Sequence, residues 1–394
     1  MSSADAGGCR LATLSQAAQP RALRVLIGDA LVGMLAQTPE GTCAFEYDRR
    51  WLAEGFSISP LSLPLEPRVF TPPYLPFEGL WGVFNDSLPD GWGRLLVDRM
   101  LRAQGLDPGA VTPLTRLAIV GESGMGALRY EPAVMFEGET GDTRDTRDLD
   151  ALSREATRIL SAEYSDSPGG LDELFELGGS SGGARPKILT QIDGQSWIIK
   201  FPAAIDPPEA GRREYDYALA ARDCGILMPE VRLFASQRCS GYFGVRRFDR
   251  EPDKTGGERR VPMASASALL ETSHRIPALD YRTLMHLTLE LCRDFQELER
   301  LYRLMCFNVF AHNQDDHSKN FAFLYREEEG AWTLSPAFDL TRCTGLRGEH
   351  ATTVNGKGRD ITVDDAVALA TELGLAPARA RQIAEEIRER TARL

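Results

Sequence analysis

Residues 313–320 read "NQDDHSKN", and this stretch decides how the rest of the chain is read. Two carboxylates, an imidazole, an ammonium and side-chain amides crowd together just after an apolar run. Such a cluster is costly to bury unless something cationic or phosphorylated sits among it, so the stretch reads as part of a metal-nucleotide site. Upstream, from Tyr281 to Phe310, Leu284, Leu287, Leu291, Leu298, Leu301 and Met305 recur at spacings of three, four and seven. That periodicity predicts helical structure with one buried face. Downstream, "FAFLY" (321–325) reads as a strand, so the charged residues occupy a loop between helix and strand.

Asp315 and Asn320 are five positions apart. The spacing lets the carboxylate face an incoming hydroxyl while the amide oxygen turns to a divalent cation, as in protein kinases. Nineteen residues after Asn320, "LSPAFDLT" supplies Asp339 beyond a short apolar strand, where a second carboxylate would grip metal ions bridging ATP phosphates. Taken alone, an aspartate such as Asp315 is more commonly an N-cap or turn residue than a catalytic one. Lys319 is placed to neutralise a transferring phosphoryl group, and His317 suits bracing of the loop by hydrogen bonds. Asp316 is assigned a structural role, because only Asp315 has the five-residue offset to Asn320.

Further upstream lies "GGSSGGARPK" (178–187), a small-residue loop that lets backbone amides approach an anion. "KILTQIDGQSWIIKF" then reads as two strands joined at Asp193-Gly194. Lys200 ends the second strand, within reach of phosphates, and Glu214 in the helix-like "GRREYDYALAARDCG" is its candidate partner. The alternative is an ordinary linker with Lys200 and Glu214 as solvated charges. "YFGVRRFDR" (242–250) reads as a strand running into the polar loop "EPDKTGGERR", a connection of the kind that offers backbone groups to a purine or simply ends in a surface turn.

Fifty-seven acidic against forty-five basic residues give a net charge of -12, which disfavours direct contact with nucleic acid or anionic membranes. Any nucleic-acid contact is expected through a partner. Seven scattered cysteines without a C-x-x-C pair argue against a disulfide framework or a zinc site, and a reducing cytoplasm fits. There is no apolar run of transmembrane length, and residues 1–22 read as a flexible tail. "LRVLIGDALVGMLAQ" (23–37) has the alternation of strands in a small sheet. After "SLPDG" (87–91), Leu95, Leu96, Arg99 and Met100 resume at helical spacing. The charged stretch from Glu137 to Asp150 reads as a domain boundary.

In order, "FNDSLPDGWGRLL", "GGSSGGARPK", "WIIKFP", "RFDR", "FNVFAHNQDDHSKNFAFL" and "SPAFDLT" closely resemble the HipA family of serine/threonine kinase toxins, from about Leu23 to Leu394. The resemblance implies an α+β, two-lobed protein-kinase-like fold: an antitoxin-contacting β-rich subdomain at 23–145, a kinase N-lobe at 146–255 and a mainly helical C-lobe at 256–394. It implies ATP and magnesium as cofactors, with Asp315 as catalytic base and Asn320 and Asp339 as metal ligands. ATP phosphates would meet Gly182, Gly183, Ala184, Arg185, Pro186, Lys187 and Lys200, with His317 and Lys319 nearby, and adenine would lie by Arg246, Arg247 and Phe248. The family's autophosphorylated serine corresponds to Ser180, with Ser181 as the alternative. Implied partners are a HipB-like helix-turn-helix antitoxin, through which alone DNA is reached, and a protein substrate of the translation machinery, of aminoacyl-tRNA synthetase type. A corepressor that stabilises the antitoxin on operator DNA and a small-molecule kinase are the alternative functions.

Overall fold

The computed structural model describes residues 11–13, 19–135, 148–161, 171–254, 256–276 and 278–394. The chain divides into two compact units, Met1–Leu189 and Thr190–Leu394. The boundary expected at 137–150 falls largely outside the described residues. Its end, Asp148, accepts a hydrogen bond from Ala151 N and so caps a helix of the first unit.

The first unit runs β1 (Leu11–Thr13), β2 (Ala22–Ile27), β3 (Ala30–Gln37), β4 (Cys43–Tyr47), α1 (Arg49–Glu54), β5 (Val69–Phe70), α2 (Gly82–Asn85) and α3 (Gly91–Ala103). It continues through α4 (Pro113–Val120), β6 (Leu128–Glu131), β7 (Ala133–Met135), α5 (Leu149–Leu160) and α6 (Leu171–Gly178), and β8 (Lys187–Ile192) carries the chain onward. The small sheet read from the alternating segment is five-stranded, in the order β5-β4-β3-β2-β6, with every pair antiparallel. Opposite Val25 and Leu26 the register shifts, with Val32 the extra residue of β3, and the bulge leaves the adjacent Val32 and Gly33 both buried. The helix expected after "SLPDG" is α3, whose face of Trp92, Leu96, Val97, Met100 and Leu101 is buried. The tail is shorter than the sequence suggested. Leu11–Thr13 pairs in parallel with Ala133–Met135, and Gln19 bonds Ala110 O, Thr112 N and Thr115 Oγ1 at 2.9, 3.1 and 2.9 Å.

The second unit opens with the predicted hairpin of β8 and β9 (Gln195–Lys200), whose turn residues Asp193 and Gly194 both have positive φ, 53° and 71°. This is the geometry that an Asp-Gly turn supplies at little steric cost. Next come α7 (Ala210–Asp223), β10 (Val231–Phe234) and β11 (Tyr242–Arg246), giving a sheet of order β10-β11-β9-β8. Ala218 of α7 packs with Val231, Phe243 and Val245 of the sheet. The expected polar loop is instead a short hairpin of β12 (Arg250–Pro252) and β13 (Glu258–Arg260), closed by Gly257 N donating to Asp253 Oδ1 at 2.9 Å. A polar composition is compatible with pairing here because these strands bury little.

Then follow β14 (Met263–Ser265), α8 (Ala266–Leu269), β15 (Leu279–Asp280), α9 (Tyr281–Cys292) and α10 (Phe295–Phe310). The helical segment is thus two helices. Arg293 takes a left-handed conformation (φ 53°), and Asp294 accepts from Gln296 N to start α10. The apolar period survives because each helix buries its own leucine row. β16 (Ala322–Arg326) and β17 (Ala331–Leu334) join β14 in a small sheet, β18 (Thr352–Thr353) pairs with β15, and α11 (Val363–Glu372) and α12 (Pro377–Thr391) end the chain. Among the described residues no helix is long and apolar enough to cross a membrane, and Cys43, Cys224, Cys239, Cys292, Cys306 and Cys343 are free thiols.

Candidate functional site

In the second unit, α10 delivers "NQDDHSKN" to a loop stapled from beneath. Asp316 is fully buried, and its carboxylate accepts from Tyr281 OH (2.8 Å), His350 Nδ1 (3.0 Å) and Thr352 N (3.2 Å). Thr352 Oγ1 donates to the Asp316 carbonyl at 2.5 Å. Asn308 Nδ2 donates to Tyr281 OH at 3.0 Å and Asn308 Oδ1 accepts from Asn313 Nδ2 at 2.9 Å, so the network runs back into α10. A buried carboxylate held by this many donors is structural, as the sequence reading assigned it.

With Asp316 anchored inward, its neighbour Asp315 points out, with a side chain 66% exposed. Its backbone N–H donates to Cys343 Sγ at 3.2 Å, and its carbonyl accepts from Asn320 Nδ2 at 2.7 Å. The second bond fixes the Asn320 amide through its nitrogen and leaves its oxygen to accept or to coordinate. His317 Nε2 stands 4.0 Å from Asp315 Oδ1, and its ring lies 5.3 Å from that of His274. His317 Nδ1 is buried and has no hydrogen-bond partner among the described residues. Lys319 lies in the short turn Ser318–Asn320 and is half-buried.

Lys200, at the end of β9, reaches across the fold of this unit. Its ammonium bonds Glu214 Oε1 of α7 at 2.5 Å and also the Asp339 carboxylate, 139 positions away in sequence. Burial works against the charged form, but the Asp339 and Glu214 carboxylates outweigh it and hold the Lys200 pKa above its ordinary value. Glu214 is buried, whereas the Asp339 side chain is 40% exposed and Asp339 has φ 52°. The pairing of Lys200 with Glu214 suggested by the sequence is therefore present, and Asp339 joins it. Among the described residues no three His, Cys, Asp or Glu side chains form a metal cage. One exposed carboxylate and one amide oxygen nevertheless suit magnesium, which keeps several waters and takes further oxygens from phosphates.

Near the end of β11, Arg247 is buried and forks onto Asp249 at 2.9 and 2.7 Å, with Arg250 also on Asp249 at 2.8 Å. Burial first of all lowers the Arg250 pKa, to about 10, against the pull of Asp249. The Arg247 guanidinium is thus committed to the fold, and its backbone N–H donates to Ser196 O at 2.9 Å. Phe248 lies 5.3 Å from the Phe338 ring.

In the first unit, the "GGSSGGARPK" loop follows α6. Ser180 is nearly buried and donates to Ser123 O at 3.0 Å, and Ser181 donates to Gly178 O at 2.6 Å. Lys187 is buried, its ammonium on Gly182 O at 2.5 Å, while Gly183, Ala184 and Arg185 are exposed and Pro186 is buried. Sequence reasoning missed Cys343, His350, Tyr281 and Thr352, which bond the 313–320 loop. Only Cys343, four residues beyond Asp339, carried any positional hint.

Residues 179–394 match the model of the HipA-like C-terminal domain, and residues 23–131 that of the HipA N-terminal domain. A curated relative from Sinorhizobium fredii, named "Putative kinase Y4mE", is 26% identical over 340 residues, covering 81% of this chain and 77% of the relative. Among solved structures, the HipA chain in the Shewanella oneidensis MR-1 complex of HipA, HipB and operator DNA matches with a TM-score of 0.71 at 18% identity. That alignment covers 94% of this chain and 88% of the Shewanella one, and shows that the two share a fold. With one HipA domain model spanning more than half of its length and the other most of the remainder, the chain belongs to the HipA family.

Proposed function

We propose that this chain is an ATP- and magnesium-dependent serine/threonine protein kinase, acting as the toxin of a toxin-antitoxin pair. The observation that carries the reading is the meeting of Lys200 of β9, Glu214 of α7 and the sequence-remote Asp339, together with an exposed Asp315 whose carbonyl fixes Asn320. A kinase needs a cation for phosphates, a carboxylate and an amide oxygen for metal, and an accessible base. A scaffold has no chemical need for all four.

In this reading Asp315 accepts the proton of the acceptor hydroxyl as that oxygen bonds the γ-phosphorus, and the bond from the γ-phosphorus to the β–γ bridging oxygen breaks to release ADP. Asn320 and Asp339 would hold magnesium, which neutralises phosphate charge when bound. Lys200 serves phosphate oxygens in the second unit, as Lys319 does. In the first unit the Gly182–Lys187 loop, exposed at Gly183, Ala184 and Arg185, suits phosphate oxygens, with Ser180, or alternatively Ser181, as the self-modified residue. Adenine would lie by the Arg246–Phe248 segment. The expected bracing of the loop by His317 is not carried by a hydrogen bond from its Nδ1 among the described residues, and its Nε2 stands 4.0 Å from Asp315.

The name of the Sinorhizobium relative supports kinase activity, and the composition of the Shewanella complex supports a HipB-like antitoxin for this chain. A net charge of -12 suits a division of labour in which the antitoxin contacts DNA. A translation-machinery protein is the expected substrate and the cytoplasm the expected location. Incubation of the chain with labelled ATP and a cell lysate is expected to label one protein band, with no label when Asp315 is replaced by Asn. Absence of label with the parent chain would sink the kinase reading in favour of a corepressor.

A further inference from the structure

The "SLPDGWG" turn (87–93) and the glycine loop belong to the same unit and interlock. The Gly183 N–H donates to the Asp90 carboxylate, and the Gly183 carbonyl accepts from Trp92 N at 2.9 Å. The Trp92 indole N–H donates to Lys187 O at 3.0 Å, so both ends of the loop are tied to α3. Two glycines in the turn make this approach possible. A Cβ on Gly91 would stand 2.8 Å from Ala184 Cα, and one on Gly93 would stand 3.0 Å from Ser181 N. Gly91 also has φ 45°.

Asp90 occupies the N-cap of α3 but makes no side-chain capping bond to it. An aspartate at this position ordinarily takes an amide of its own helix. Here its carboxylate bonds a loop amide about ninety positions onward, and the free Trp92 amide of the helix is likewise turned to Gly183. A backbone amide gains more from an ionised acceptor than from a neutral one.

We propose that Asp90-Gly91-Trp92-Gly93 is a dock for the glycine loop, with Asp90 a positioning residue for phosphoryl transfer. It fixes Gly183, so that the exposed loop residues meet phosphate oxygens in one conformation and the ordering cost is met before nucleotide binds. The docked state also holds Ser180 against Ser123, away from solvent. The nucleotide part of the proposal rests on the kinase reading, and the docking itself does not.

Hydrogen exchange on the full chain tests the dock without any activity. Asp90→Ser offers α3 a good cap with a shorter side chain, whereas Asp90→Asn keeps an acceptor oxygen at nearly the same reach. In Asp90→Ser, amides in 181–185 should exchange roughly tenfold faster or more, with α3 still protected, and Asp90→Asn, a neutral acceptor at the same reach, should fall between that variant and the parent. In a kinase assay KM for ATP should rise in Asp90→Ser with kcat less affected, and Asp90→Asn should restore it in part. Unchanged exchange in Asp90→Ser would overturn the dock. A KM in Asp90→Asn below that of the parent would overturn positioning, since it would mean that the carboxylate repels phosphates. If the parent transfers no phosphate at all, the kinase reading fails while the exchange result still decides the dock.

Discussion

Asp315 and Asp316 are adjacent carboxylates with opposite fates, and exchanging each in turn should separate chemistry from stability. Asp316→Ala strands the Tyr281 hydroxyl, the His350 ring nitrogen and the Thr352 amide inside the fold. A buried donor left without its partner costs about 1–3 kcal/mol, and three donors here lose theirs together. Because the donors share one acceptor group their penalties do not simply add, so a loss of about 3–5 kcal/mol is expected. Against a total of about 5–15 kcal/mol, that removes a large part of the stability of the second unit, or roughly 10 °C of melting temperature. Asp316→Asn keeps one accepting oxygen and should cost about 1–3 kcal/mol. Asp315→Asn, at an exposed side chain, should change stability by no more than about 0.5 kcal/mol while lowering phosphoryl transfer by about 10²–10⁴. Urea unfolding followed by tryptophan fluorescence, run beside a labelled-ATP assay, reads both. An Asp316→Ala protein within about 1 kcal/mol of the parent, or an Asp315→Asn protein with parental turnover, would refute the division of roles.

Asp339→Ala should weaken nucleotide binding in the presence of magnesium and change it little in its absence, as read by calorimetry; equal affinities for variant and parent would count against a metal role. Lys200 has a raised pKa in the folded chain, so the stabilisation from its ion pairs is fully present below the unfolded value of 10.5 and is lost only as pH rises through the folded one. Nucleotide affinity should therefore show no Lys200 titration between roughly pH 6 and 10, and a loss centred near pH 8 would contradict the geometry. Incubation with ATP should place phosphate on Ser180, or failing that Ser181, with activity falling as occupancy rises, because about two added negative charges repel nucleotide phosphates. Peptide mass spectrometry along a time course decides this, and full occupancy with undiminished activity would show that no such switch operates.

Local chemistry made much of the fold legible. The Asp193-Gly194 hairpin, the α3 periodicity and the strand after Asn320 each depend on residues within a few positions of one another. Where the reading fell short, the deciding partner was remote or the signal was a single torsion. One left-handed residue, Arg293, splits a continuous leucine pattern into two helices, and no composition rule marks an arginine for that conformation. The parallel pairing of Leu11–Thr13 with Ala133–Met135 joins segments more than a hundred residues apart, so a short polar-flanked stretch read as a tail.

The same physics separates what was readable in the site from what was not. The offset of Asp315 to Asn320 is local, and so were the expected roles of both residues and of Asp316. Nothing local marks Tyr281, His350 and Thr352 as the donors that bury Asp316, because each lies more than thirty positions away and is an unremarkable residue in its own segment. Those donors nonetheless set the outward exposure of Asp315, since adjacent side chains on an extended loop diverge and anchoring one inward presents the other. Asp90 follows the same rule. Read alone, "SLPDG" is a helix start, and its carboxylate acquires a second use only when α6 brings Gly183 within bonding distance. The sequence thus names the groups that would do chemistry, and tertiary contacts name the groups that aim them.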